Sequence, residues 1–567
     1  MAERDEPNRD PLSRAAAKQL LTLAALCVAG FALLLAVLGW AASATGGGAA
    51  TARGVDVAAR AITTSIRTEP PNLDSTRATD GQSIMVLTHV IEGLLRYDIA
   101  GNVIPGVAER WDIRASGATF WLRADALWSD GRPVTAQDFV FAWRTAVDPV
   151  TASQYAFILY AVKNGEAINR GERPREQLGV QAVDDRTLEV EFENPIAYFD
   201  KLVTAQTYLP VREDFYRSRQ GRYAADADDL LYNGPFRLTR WVHGASLRFE
   251  KNPSYWNRDA VRLNVVDIAY MTRDAVARLN LFQDGRVVDV DYLPGEALSQ
   301  VLQQRWPLGR FDEGSEWFIE TNFRAGRLTR NWHLRRALLL ASDPNELVYK
   351  VLKTPSYTPG ASLFPAYIKG EHALFRQEHP PPIFRTDITA ARAELALAKQ
   401  ELGLEELPPL VLVADNTPAS ISHTEYLQEH LRRTLGLTIK IDRQEFRQRL
   451  AKQEAGEFDI TLASWGPDYD DPLTFADLFA SWNLNNHGRY EGAELDAQVR
   501  IAQRSMDPHV RFAAFAEIQR ILLEDGVVFP AYDRGVLYVQ DPRLKGVGRR
   551  VVGGTPDYTT AYLVPAP

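Results

Sequence analysis

At 567 residues the chain is too long for one hydrophobic core, so at least two bodies are expected. Hydrophobic residues make up 46% and charged residues 24%, the composition of a folded globular protein rather than a disordered or fibrous one. A net charge of −9 argues against a general nucleic-acid partner, while 12 Trp, 21 Tyr and 24 Phe suffice to line a cleft as well as fill cores.

Residues 1–18 are polar and carry Arg4, Arg9, Arg14 and Lys18, whereas 19–52 hold no charged residue. Within that span, 20–42 is almost continuously apolar and long enough to cross a bilayer core of about 30 Å. More Lys and Arg precede it than closely follow it, so the tail is expected in the cytoplasm and the body outside. Ala42-Ser43-Ala44 fits a signal-peptidase site, but the apolar run exceeds the usual signal core, which favours an uncleaved anchor. Gly46-Gly47-Gly48-Ala49-Ala50 reads as a flexible tether, giving a tail over 1–18, an anchor or signal over 19–44 and a tether over 45–60. The single cysteine, Cys27, lies inside the apolar run, where Leu26 precedes it and makes lipidation unlike the usual pattern. The exported body therefore has no disulfide and no Cys-ligated metal.

Along the body, 61–67 reads as a strand and 80–97 as a helical pattern closing in a strand at Leu94–Tyr97. Thr119–Leu122 alternates as a strand, Trp128-Ser129-Asp130-Gly131 is a tight turn, and Thr135 is placed to cap a helix over 136–147. Leu188–Phe192 is a surface strand, and 236–241 and 245–249 flank a hairpin turn. A short helix follows over 274–282, a strand over 287–290 ending at Asp291-Tyr292, and another helix from Leu334. From Asp387 the pattern is clearest. A helix closed by Gly403, a strand over 410–414, a helix closed by Gly436, a strand over 437–441, a helix over 445–455 and a strand over 458–463 succeed one another. The β-α-β-α-β order predicts parallel strands with right-handed crossovers.

The last of these strands is expected to be half buried, with Phe458, Ile460 and Leu462 on one apolar face. It breaks at Gly466-Pro467 and delivers Trp465, Asp468, Tyr469, Asp470 and Asp471 to its carboxyl end. Ligands of open parallel sheets bind outside such ends, and an aromatic pair around a carboxylate suits an organic cation. An acidic turn of solvated aspartates is the plain alternative. No metalloprotease helix motif, nucleophile elbow or phosphate loop is present, Gly546-Val547-Gly548 reads as a turn, and no cofactor or metal is expected.

Several stretches taken together resemble the oligopeptide/dipeptide-binding proteins of bacterial ABC importers, solute-binding protein family 5. They are Asn72-Leu73-Asp74, Glu92-Gly93-Leu94-Leu95, Pro105–Trp111, Trp128–Val140, Asn233–Phe236, Asn252–Trp256 and Trp465–Tyr469, in order from about residue 61 onward. The resemblance implies an α/β fold: a two-lobed periplasmic-binding-protein clamshell, type II-like, with an extra domain, here preceded by the one N-terminal transmembrane or signal helix. Lobe I would take 61–91, 210–312 and 532–567, the extra domain 92–209, and lobe II 313–531. It further implies a monomeric, non-enzymatic subunit that holds an extended peptide between the lobes and passes it to a permease.

In the family an aspartate of this type pairs with the peptide's α-ammonium, which points to Asp468, with Trp465, Gly466 and Tyr469 walling the site. Tyr155, Tyr292, Phe446 and Tyr532 fall near the cleft by the same comparison. Gln453 and Leu462 stand where some relatives carry carboxylate-binding arginines, leaving Lys452 as a substitute. An oligosaccharide or other small solute on the same fold, and an extracytoplasmic hydrolase using Asp468–Asp471, are the alternatives.

Overall fold

A computed structural model describes residues 53–565. The apolar segment 20–42, Cys27 and the glycine tether lie outside the described residues. No helix among the described residues is long and apolar enough to cross a membrane.

The first body begins with β1 (Val55–Asp56) and β2 (Ala61–Ile66). Helix α1 (Gly81–Val90) follows, its start capped by Asp80, whose carboxylate accepts from the Gln82 and Ser83 amides. Then come the ribbon β3 (Leu95–Tyr97) and β4 (Val103–Pro105), the hairpin β5 (Ala108–Arg114) and β6 (Gly117–Leu122), and helix α2 (Ala136–Val147). Strands β7 (Val180–Asp184) and β8 (Thr187–Glu191) complete an antiparallel four-stranded sheet in the order β5-β6-β8-β7. The hairpin β9 (Phe236–Val242) and β10 (Ser246–Lys251) and strand β11 (Val265–Met271) return to the beginning, forming the sheet β1-β2-β11-β10-β9 with a parallel β2–β11 pair.

The 128–140 block is physically one unit. The Asp138 carboxylate accepts both the Trp128 indole N–H at 3.0 Å and the Thr135 amide at 2.9 Å. The turn and the first turn of α2 are thereby locked together, with Trp128, Phe139 and Trp143 filling the core beneath. A separate core around Phe236, Phe249, Tyr255 and Tyr558 fills the body built on β2 and β9–β11.

The second body hangs on two strands of 13 residues each. Before them lies β12 (Asp289–Asp291); then come β13 (Gly309–Thr321), the two-residue β14 (Thr358–Pro359), helix α3 (Ile388–Leu402), β15 (Leu410–Asp415), α4 (Pro418–Leu435), β16 (Ile439–Gln444), α5 (Phe446–Ala455), β17 (Ile460–Trp465), α6 (Pro508–Glu524) and β18 (Val528–Gln540). The sheet order is β12-β18-β13-β17-β15-β16 with β14 on β18. Strands β15, β16 and β17 are parallel, as the alternating pattern predicts. Their connecting helices end at Gly403, Gly436 and Gly456, each at positive φ.

Two findings depart from the sequence reading. The strand ending in the acidic turn is buried on both faces, not one: Asp459 and Thr461 are 7% and 0% exposed. Strand β17 is central, flanked by β13 and β15, with Ile460 and Leu462 in one core and Ala463 in another. Its polar side chains are satisfied inside: Asp459 accepts the Val411 amide at 2.8 Å and Thr461 donates to the Val413 carbonyl at 2.9 Å. The long pair β13–β18 escaped the pattern reading altogether. Its alternation is broken by a register shift between Asp312 and Glu316, where Gly314 takes φ +80, and by buried Glu316 and Glu320. Beyond that shift, Leu537 and Val539 pack with the helices before β13, while Trp317, Ile319 and Phe529 pack with α3 and α4.

Candidate functional site

The acidic turn after β17 holds three aspartates in three different states. Asp471 is enclosed. Its two oxygens take the Arg511 guanidinium of α6 at 2.7 and 3.0 Å, and Lys201 stands 3.7 Å away. Burial alone would lift this carboxyl, but Arg511 and Lys201 outweigh it and hold it below its ordinary range. Asp470 is lifted by burial against the fields of Lys201 and Lys369.

Asp468 differs from both. Among the described residues no cation pairs with it; the Tyr155 hydroxyl donates to its Oδ1 at 3.2 Å, and its own amide donates to Thr474. Burial pushes its carboxyl up to about 6, against that hydrogen bond, which pulls it back. Asp477 behind it is pushed up to about 7, by burial first and then by the charge of Asp468. A desolvated carboxylate without a cation is costly; it is relieved by taking up a proton, as its raised value shows, or by meeting an outside cation.

Asp468 and Tyr155 border a cavity with about 1120 Å³ of empty space, part of it open to solvent. Ile84 and Leu87 of α1, Ile91 just past its end, and Val551 and Val552 supply apolar walls, and Thr88, Arg96 and Gln206 supply polar ones. A neighbouring cavity shares Gly553 with it and contains Tyr292, whose ring lies 3.9 Å below the Arg67 guanidinium. Tyr469 stacks on Tyr198 with ring centroids 5.4 Å apart, closing the seam between the two bodies beside Asp468.

The other sequence candidates are placed differently. Trp465 ends β17 half-buried, its indole N–H 3.4 Å from the Thr474 hydroxyl. Gly466 is exposed, with only Ser315 near the place a Cβ would occupy. Tyr532 is wholly buried, stacked between Trp317 and Tyr357, away from the cavity that holds Asp468. Phe446, at the start of α5, is 61% exposed and likewise does not border it. Leu462 is core, and Gln453 is buried, bonded to Thr461 and Arg449. Lys452 is ion-paired with Asp442. The sequence reading missed Arg96, Gln206 and the 550–553 loop. Nothing local marks them, because the fold brings them to the cavity from three distant stretches.

Fold and site together define a binding protein: a recessed cavity bordered by both bodies, with one carboxylate that no cation among the described residues pairs. The model for bacterial extracellular solute-binding proteins, family 5 Middle, matches residues 102–486, and the chain belongs to this family. It is 30% identical over 487 residues to the dipeptide-binding protein DppE of Bacillus subtilis, covering 86% of this chain and 89% of that one. The substrate-binding domain of an oligopeptide ABC transporter from Bacillus anthracis superposes with a TM-score of 0.73 at 31% identity, covering 90% of this chain and 99% of that one. Listeria monocytogenes OppA bound to peptide superposes at 0.72 with 30% identity, covering 89% and 99%. The two-lobed α/β fold expected from the motifs is therefore the fold of the family.

Replacing Arg511 with Met should destabilise the protein by about 3–5 kcal/mol, since it strands the Asp471 charge inside. Adding Asp471→Leu should recover part of the loss. Denaturation midpoints of the single and double variants check both.

Proposed function

We propose that the protein captures peptides outside the cytoplasm and presents them to an ABC permease, binding without chemistry. The observation that supports this most directly is Asp468, a desolvated carboxylate held by Tyr155 and left without a protein cation. It is matched to the α-ammonium of a peptide, and the names of the similar proteins, dipeptide-binding DppE and peptide-bound OppA, fit the same ligand class. The alternatives have no observation of their own. A sugar does not need a buried carboxylate to meet an ammonium, and within the acidic cluster the oxygens of Asp471 are already taken by Arg511.

On this reading residues 61–91, 210–312 and 532–567 form lobe I, 92–209 the extra domain and 313–531 lobe II. They would close about the β13–β18 crossing near Gly314, and the ligand would shift the population toward the closed form by binding it more tightly. The protein would act as a monomer tethered by 20–42. Mass spectrometry of the mature N-terminus tests the tether: the anchor requires the segment intact, and a start at Thr45 would rule it out.

A thermal-shift or calorimetric panel of peptides tests the ligand. Free peptides should bind, and N-acetylation should cost at least about tenfold in affinity by removing a charge-assisted bond. Equal binding of acetylated and free forms would sink the Asp468 pairing.

The pH dependence follows from the same carboxyl. In the free protein it titrates near 6, and an ammonium partner would favour its ionised form and lower that value. Affinity should therefore be full above pH 6 and fall on acidification below it, approaching about tenfold per pH unit, with a proton released on binding. Titration calorimetry from pH 5 to 7.5 reads this directly, and a flat profile would contradict it.

A further inference from the structure

The cavity that contains Asp468 is also lined by two ion pairs, Arg96 with Glu92 and Arg550 with Asp557. Two cations line it, Arg96 and Arg550. Arg550 is engaged: it pairs with Asp557 at 2.6 Å and reaches the Asp98 carbonyl at 3.3 Å. Arg96 is not engaged to the same degree. It occupies the middle of β3, between Leu95 and Tyr97, which are buried at 2% and 8% exposure. The strand's alternation therefore turns its side chain to the opposite face, where it borders the cavity and is 24% exposed.

It is ion-paired with Glu92, 3.3 Å from Nε but outside hydrogen-bonding geometry, so that Nε is a buried donor without an acceptor. Glu92 is already served by other donors, the Tyr255 hydroxyl and the Trp256 indole, each at 2.5 Å. Among the described residues no acceptor is recorded for the two terminal nitrogens of Arg96. A guanidinium ion-paired beside Nε, with its two terminal nitrogens unshared among the described residues at a cavity wall, can receive a carboxylate in two parallel hydrogen bonds.

We propose that Arg96 is the carboxylate anchor of this site, so that the ligand is a short peptide with both termini free, its ammonium at Asp468 and its C-terminal carboxylate at Arg96. This rests on the peptide reading above and deepens it. It also accounts for a chain in which Leu462 and Gln453 are buried in protein contacts and Lys452 is committed to Asp442. Glu92 and Asp557 line the same cavity beside their arginines, so what Arg96 offers a ligand is the unshared side of an ion-paired guanidinium.

The test is a cycle of ligand and protein changes. Peptides of two to five residues are compared as free acids and as C-terminal amides, on the wild-type protein and on Arg96→Met and Arg96→Lys. Amidation should weaken wild-type binding by about tenfold or more at the preferred length. The same amidation should cost nothing further in Arg96→Met, where the free acid binds no better than the amide, and Arg96→Lys should restore part of the discrimination. Measurable binding of the amide by the variants shows that they are folded.

An equal amidation penalty in wild type and Arg96→Met, or none in wild type, overturns the assignment and leaves the peptide reading standing. Arg96-dependence that follows an acidic side chain in C-terminally amidated peptides also overturns it. Failure of every peptide to bind the wild-type protein removes the underlying reading, and the proposal with it.

Discussion

The ion pair between Asp471 and Arg511 is the constraint on which the site depends. It is buried, bidentate and assisted by Lys201 from the opposite body. Such a pair contributes little net stability compared with apolar packing, but it fixes geometry strongly, because breaking it leaves a charge in a low-dielectric interior. Here it pins the turn that leaves β17 against α6. With that end pinned, Asp468 three residues earlier is held at the cavity wall, where only a tyrosine hydroxyl meets it. One aspartate is satisfied by the protein's own cations, while another borders the cavity with a tyrosine hydroxyl as its side-chain partner.

The crossing strands β13 and β18 do for the whole molecule what that ion pair does for the turn. Each runs from a body packed on β12 into the body packed on α3 and α4, and the register shift around Gly314 falls between the two. The shift places Gly314 against Pro467 and Val551, next to the acidic turn and the 550–553 loop. The pieces of the site are thus gathered around the irregular part of the sheet, where the ladder is interrupted and the backbone is freest to bend. The bodies are joined at this seam by the stacking of Tyr198 on Tyr469, by the Tyr155–Asp468 hydrogen bond and by Lys201 near Asp471.

Much of the second body was legible because its signals are local. Asp387 and Thr417 accept hydrogen bonds from amides three residues on, and Gly403 and Gly436 adopt the left-handed conformation that ends a helix. Those choices are written within a few residues of where they act, so β15, β16, β17 and their helices could be placed from alternation and caps. Burial of β17 on both faces was not legible, since Asp459 and Thr461 look solvent-facing until partners from β15 satisfy them. Strands β13 and β18 were hidden for a related reason. Buried glutamates and a bulge erase the period-2 pattern that would have revealed them.

The family and the choice of the turn at 465–471 came from the sequence by itself, because motif order and strand-end chemistry are properties of the chain. Which of its three aspartates is sealed by an arginine and which borders the cavity was decided only by the tertiary structure. Arg511, 40 residues away, takes Asp471, and Tyr155, 313 residues away, finds Asp468. The same holds for Tyr532 and Phe446, one sealed in a core and the other on the surface, and for Arg96, which looks like any charged residue in an exposed strand. A side chain's charge is written locally, but its solvation and its partners are set by residues far along the chain, and recognition depends on those two quantities.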